Sequence, residues 1–190
     1  MQETLHKKAF QLLVDNTSGV LSRISGLFSR RGYNIESITA GVTADPRYTR
    51  ITIVASGDDD ILDQIEKQVR KLVDVRVIHE LAPEDSVYRE LALVKVRVDD
   101  AKRENVIAFT NIFRGKIVDV APDSLIVEIT GNQGKVDAFL ELLAGYEILE
   151  LARTGIAGLT RGADKVLFLD ENGNIVLSKE AEEYWGKEKE

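Results

Sequence analysis

One succession of hydrophobic periods runs through this chain twice, and it leaves few folds open. Over residues 8–14 apolar side chains alternate, with Phe10, Leu12 and Val14 on one side and Ala9, Gln11 and Leu13 on the other. That period of two marks a strand. Asp15-Asn16-Thr17-Ser18-Gly19 supplies turn and cap residues, and from Val20 the period becomes helical. Val20, Ile24, Leu27 and Phe28 form a stripe with Arg23, Arg30 and Arg31 outside it, and Gly32 stands where a helix would stop. Residues 35–42 and 50–55 read as two strands joined by a loop built on Asp45-Pro46. Gly57-Asp58-Asp59-Asp60 opens a second helix, whose first-turn carboxylates oppose the helix dipole. Ile61, Ile65, Val69 and Leu72 are expected on its inner face, and Val73, Val75 and Val77 then alternate as a fourth strand.

After the polar break Ala82-Pro83-Glu84-Asp85-Ser86 the order repeats. A strand is expected over 91–98 and a helix over 102–113 with Val106, Phe109 and Phe113 inward. A hairpin of 116–121 and 125–130 follows, turning at Pro122-Asp123. Next come a helix over 135–143, with Val136, Phe139, Leu140 and Leu143 inward, and a strand over 148–153. Two tandem units of strand-helix-strand-strand-helix-strand make an α+β chain of two ferredoxin-like (βαββαβ) domains. The expected boundaries are 1–81, a linker at 82–88, 89–162, and a tail at 163–190. Asn172-Gly173 between the apolar runs 166–169 and 175–177 predicts a hairpin in that tail, and Ser178 could cap a short terminal helix. Two helices cover one face of each sheet. Apolar residues on both faces of the first sheet, such as Ile51, Ile53 and Val54, imply partial cover of the other face, which a homodimer would supply.

Bulk properties narrow the function. The 190 residues carry a formal charge of −7, against the clustered Lys and Arg that nucleic-acid or anionic-membrane binding needs. There is no cysteine, so disulfides and thiolate metal sites are excluded. No apolar run approaches the roughly 20 residues of a bilayer span, and Met1-Gln2-Glu3-Thr4 has no signal-peptide character, so a cytoplasmic location is expected.

Catalytic machinery is not visible. His6 and His79 have no partner at metal-ligand spacing and read as structural or solvent-facing. There is no nucleophile elbow and no phosphate-binding loop, and Gly131-Asn132-Gln133-Gly134 reads as a plain turn. Asp58-Asp59-Asp60 reads as a charged first turn, and Asp170-Glu171-Asn172-Gly173 as a hairpin turn, because a hard cation needs converging oxygens. One place has a chemical logic. Where the first strand hands over to the first helix, unpaired amides carry partial positive charge and can take a carboxylate. Gly19 lets a ligand approach the backbone, and Asn16 offers a donor and an acceptor. Gly32-Tyr33-Asn34-Ile35 supplies another amide, which a side-by-side dimer could bring opposite. On local chemistry alone the ordinary reading stands ahead: Asn16 or Thr17 caps the helix and Gly19 fits a turn.

The residues from Leu13-Val14-Asp15-Asn16-Thr17-Ser18-Gly19-Val20-Leu21 through Gly32-Tyr33-Asn34-Ile35-Glu36-Ser37 closely resemble the ACT domain of the acetolactate synthase small-subunit family. The resemblance resumes at Arg89-Glu90-Leu91-Ala92-Leu93-Val94-Lys95-Val96 and at Ile112-Phe113-Arg114-Gly115-Lys116-Ile117-Val118-Asp119-Val120, and it spans about 8–162. It implies a non-catalytic regulatory subunit that pairs with itself and binds a large subunit. Thiamin diphosphate, Mg²⁺ and FAD are expected in that large subunit, and no cofactor in this chain. It also implies activation of the large subunit and feedback inhibition by valine or another branched-chain amino acid. By position the family's effector contacts fall on Asn16, Gly19, Val20 and Leu21 of one copy and on Asn34 and Ile35 of the other. The family commonly stops near Arg161-Gly162, so the tail is a departure that could extend the second domain or alter the large-subunit contact. Two other readings bear testing: an amino-acid-sensing transcriptional regulator lacking its DNA-binding part, and a stand-alone enzyme of ferredoxin-like fold. The first lacks a helix-turn-helix or basic arm, and the second lacks converging catalytic groups.

Overall fold

The computed structural model describes residues 6–162, and the backbone of 168–169 and 175–176 besides. The first domain runs β1 (His6–Asp15), α1 (Val20–Arg31), β2 (Asn34–Val42), β3 (Tyr48–Gly57), α2 (Asp59–Val69) and β4 (Val75–Glu80). The second repeats the order with β5 (Ser86–Arg97), α3 (Asp100–Ile112), β6 (Lys116–Val120), β7 (Ser124–Gly131), α4 (Gln133–Leu142) and β8 (Ile148–Arg153). A short β9 (Ala157–Thr160) follows. The sheets are antiparallel, ordered β2-β3-β1-β4 and β6-β7-β5-β8, with β9 paired to the start of β5. The two tandem split-βαβ units expected from the sequence are present.

Each sheet packs one face on its two helices. In the first domain Phe10, Leu12, Val14, Ile51 and Ile53 meet Ile24, Phe28, Leu62 and Ile65. In the second, Val94, Val96, Leu125 and Val127 meet Val106, Val136 and Phe139. Helix caps follow the sequence: Asp58, Asp99 and Asn132 accept from Ile61, Lys102 and Lys135 amides at 2.7, 2.8 and 2.9 Å.

Four expectations need correction. Leu62, not Ile61, is the inward residue of α2; Ile61 is 37% exposed and lies over Gly57, where a Cβ would come within 2.6 Å of it. Val73 is 84% exposed and precedes β4, because the chain turns through 70–74 before the ladder with β1 begins. The linker at 82–88 is shorter, since Ser86, Val87 and Tyr88 already pair with β9. Gly131-Asn132-Gln133-Gly134 is not a free turn: Asn132 caps α4.

The other face of the first sheet is covered in part by the chain itself. From the end of β8 into β9 the segment 154–158 crosses it, where Gln11, Thr52 and Val54 are buried. Gln11 Nε2 donates to Gly158 O at 2.6 Å and Thr39 Oγ1 to Thr154 O at 3.0 Å. Gly155 sits at φ 80, and a Cβ there would lie 2.8 Å from Ser37 Cβ, so glycine is required twice over. In the tail β10 (Phe168–Leu169) pairs antiparallel with β11 (Ile175–Val176). The turn joining them and the terminal helix expected after Ser178 lie outside the described residues.

Candidate functional site

The amino end of α1 is built by the ends of three strands. Asp15 N–H donates to Asp74 O and Asn16 N–H to Arg47 O, at 2.9 and 2.7 Å. The Asn16 side chain ties down the β2–β3 loop: Nδ2 donates to Pro46 O at 2.9 Å, and Oδ1 accepts from Thr49 Oγ1 at 3.1 Å. Asn16 therefore does not cap α1. The N-cap is Gly19 at φ 85, with no side-chain hydrogen bond to the first turn and no acidic residue in it. In α2, α3 and α4 a side chain sits on the first amides; α1 leaves its own uncapped.

A cation stands beside these amides that local sequence did not single out. Arg23 holds Asp74 through Nε and Nη2 at 2.6 and 2.8 Å, and Nη2 also reaches Ser18 O at 3.5 Å. A Cβ on Gly19 would stand 2.9 Å from Arg23 Nη1. The Arg23 bond holds the Asp74 carboxyl below the usual carboxylate range and pushes the guanidinium up. Arg76 grips Asp15 at 2.7 and 2.5 Å.

The six residues expected at the site occupy two places. Val20 is 5% exposed and its side chain belongs to the core, so only its amide faces the helix end. Leu21, 48% exposed, projects from α1. Asn34 and Ile35 begin β2, past the far end of α1. Asn34 lies across from Ser56 on β3, whereas Asn16 bonds Thr49 near its start. Seven residues of strand separate these points by roughly 23 Å. A single copy therefore does not bring all six together. Ile35 packs on the core, and a register shift between Ile35 and Ser37 puts Glu36 out of the ladder. Its carboxylate accepts from Ser56, Lys7 and Asn34, bonds that hold it below its ordinary range, Ser56 foremost.

Comparison with known proteins follows these two domains closely. The family profile of the AHAS small subunit-like ACT domain matches residues 10–77, and that of the small subunit of acetolactate synthase matches 89–162. The chain belongs to the acetolactate synthase small-subunit family. It is 53% identical over 152 residues to a probable acetolactate synthase small subunit of Methanothermobacter thermautotrophicus, covering 80% of this chain and 90% of the relative. It is 47% identical over 162 residues to the isozyme 3 small subunit of Escherichia coli, covering 85% and 99%. The crystal structure of the acetolactate synthase small subunit from Thermotoga maritima superposes with a TM-score of 0.76 at 44% identity, covering 83% of this chain and 99% of that one. Among the described residues of this small subunit no three His, Asp or Glu side chains converge as metal ligands, and no helix is long and apolar enough to cross a membrane.

Proposed function

We propose that this small subunit regulates a thiamin-diphosphate-dependent acetolactate synthase catalytic subunit in the cytoplasm. It raises the activity of that partner and confers feedback inhibition by valine or another branched-chain amino acid. Family membership over both domains supports the partner. The single observation that supports the effector site is the uncapped amino end of α1 at Gly19, with Arg23 beside it. Exposed amides at the positive end of a helix dipole, next to a guanidinium, favour a ligand carboxylate.

The site is completed by a second copy. β2 is an edge strand with Ile38 and Val42 exposed at 40% and 61%, and Leu21 projects from α1. Pairing two copies side by side brings Asn34 and Ile35 of one toward Gly19 and Leu21 of the other. Leu21 and Ile35 then bound a small apolar space suited to a short branched side chain, while Asn34 takes the ammonium end. To inhibit, the effector must bind the less active arrangement of the complex more tightly than the active one. Isothermal calorimetry with valine on wild type, Asn16→Ala and Gly19→Asp tests the site. Weakened binding in Gly19→Asp is expected, and unchanged affinity in both variants rejects it.

A further inference from the structure

On the face of the first sheet that α1 and α2 leave uncovered, a cleft of about 500 Å³ opens between the β2–β3 hairpin and the β5–β9 ribbon. Val87, Ala157 and Leu159, on one face of the β5–β9 ribbon with Arg89, give it an apolar wall. Two guanidinium groups, Arg50 and Arg89, share the lining, and among the described residues no aspartate or glutamate does.

Arg50 is the unusual member. It projects from β3, partly buried, and its side chain makes no hydrogen bond or ion pair with a described residue; burial alone pulls its guanidinium below the ordinary value. The Arg89 side chain makes one hydrogen bond among the described residues, from Nη1 to the adjacent Tyr88 carbonyl at 2.6 Å. Arg23, Arg47, Arg70, Arg76, Arg97 and Arg153 each hold a carboxylate. The chain carries 32 acidic residues against 25 lysines and arginines, so carboxylates are in excess. Two arginines in one cleft without a carboxylate repel each other and favour an anion from outside. Gly41 is the cross-strand partner of Arg50, and a Cβ there would meet nothing within 4 Å. Packing does not require glycine at 41, and its missing side chain keeps the space beside Arg50 open.

The geometry points to a binding site for a small aliphatic carboxylate lacking an α-ammonium group, with Arg50 and Arg89 on the carboxylate and Val87, Ala157 and Leu159 against the aliphatic body. With no acidic side chain in the lining, an ammonium finds no counter-charge there, which separates this cleft from the amino-acid site assigned to the end of α1. Thr52 also lines it, and its hydroxyl can donate to a further oxygen on the ligand.

Calorimetry on the full chain with 3-methylbutanoate, 3-methylbutanamide, valine and inorganic phosphate tests this, with thermal melting to confirm that each variant is folded. Saturable 3-methylbutanoate binding to wild type is expected. Arg50→Gln and Arg89→Gln should each weaken it roughly tenfold, the loss of one charge-assisted pair. Gly41→Leu should block it by filling the cleft. The amide should not bind, and valine should not compete. No saturable binding, equal binding in folded Arg50→Gln, or competition by valine overturns the assignment. Phosphate binding as tightly as 3-methylbutanoate overturns its aliphatic half.

Discussion

The Arg23 guanidinium clasps the Asp74 carboxylate at 2.6 and 2.8 Å and, held there, lies across the amino end of α1, 2.9 Å from where a Cβ on Gly19 would stand. A residue of the first helix and one from the turn before β4 thereby fix a guanidinium, with its Nη1 outward, at an uncapped helix end. Gly19 controls access to it. Gly19→Ala places a Cβ at φ 85 and should cost about 1 kcal/mol of stability, since the atom it meets is the movable end of Arg23. Gly19→Asp should cost a similar amount and add a fixed negative charge where the effector carboxylate sits. Thermal melts should show the two variants alike, while calorimetry should show effector affinity falling at least about tenfold further in Gly19→Asp.

The Arg23–Asp74 pair has a pH signature. Pairing lowers the folded carboxyl below its unfolded value, so its contribution to stability is full above the unfolded value, near about 3.9, and is lost as pH falls through the lowered folded value. Melting temperatures of wild type and Asp74→Asn should differ at neutral pH, and the gap should close as pH falls below about 4. A gap that stays constant down to the lowest pH at which the protein folds contradicts this.

The crossing segment over the first sheet makes a sharper structural prediction. Gly155→Ala adds both a strained φ and a 2.8 Å contact with Ser37 Cβ, and should cost about 1–3 kcal/mol. Gly162 also has positive φ, at 76, but a Cβ there meets nothing within 4 Å, so Gly162→Ala should cost about 1 kcal/mol. Denaturant melts of the two variants separate the clash from the strain they share.

Glu90 is 4% exposed and grips Arg153 at 2.6 and 2.7 Å, and Arg153 also holds Asp137 at 2.8 Å. Glu90→Ala should destabilise by about 2–3 kcal/mol, less than a fully buried pair because Arg153 keeps Asp137 and some solvent. Denaturant melts check it, with Glu90→Gln expected to lose less.

Both domains could be read from period alone, because strand and helix repeats are local and occur twice. What escaped depends on distance in sequence. Ile61 and Leu62 both fit a helical stripe with Ile65 and Val69, and only the sheet beneath α2 decides that Leu62 is inside. Leu62→Ala should therefore cost about 2–5 kcal/mol and Ile61→Ala under about 1 kcal/mol, as denaturant melts would show. Strand β9 is Ala157-Gly158-Leu159-Thr160, too short and glycine-bearing to show alternation; it forms because β5 overshoots its sheet and offers an edge. At the candidate site, Gly19 and Asn16 were legible as a strand-to-helix junction. Arg23 was not, since its place is set by Asp74, 51 residues away. The side-chain bonds of Asn16 to Pro46 and Thr49 were hidden for the same reason.

The central claim is that this chain controls a separate catalytic subunit through an amino acid held at the end of α1. Acetolactate formation by purified catalytic subunit, measured with and without this chain while valine is titrated, tests it most directly. The account predicts a rate that rises when the chain is added and then falls with valine, and a Gly19→Asp chain that still raises the rate but resists valine. A catalytic subunit whose rate is indifferent to the chain, or valine inhibition equally strong with Gly19→Asp, would contradict it.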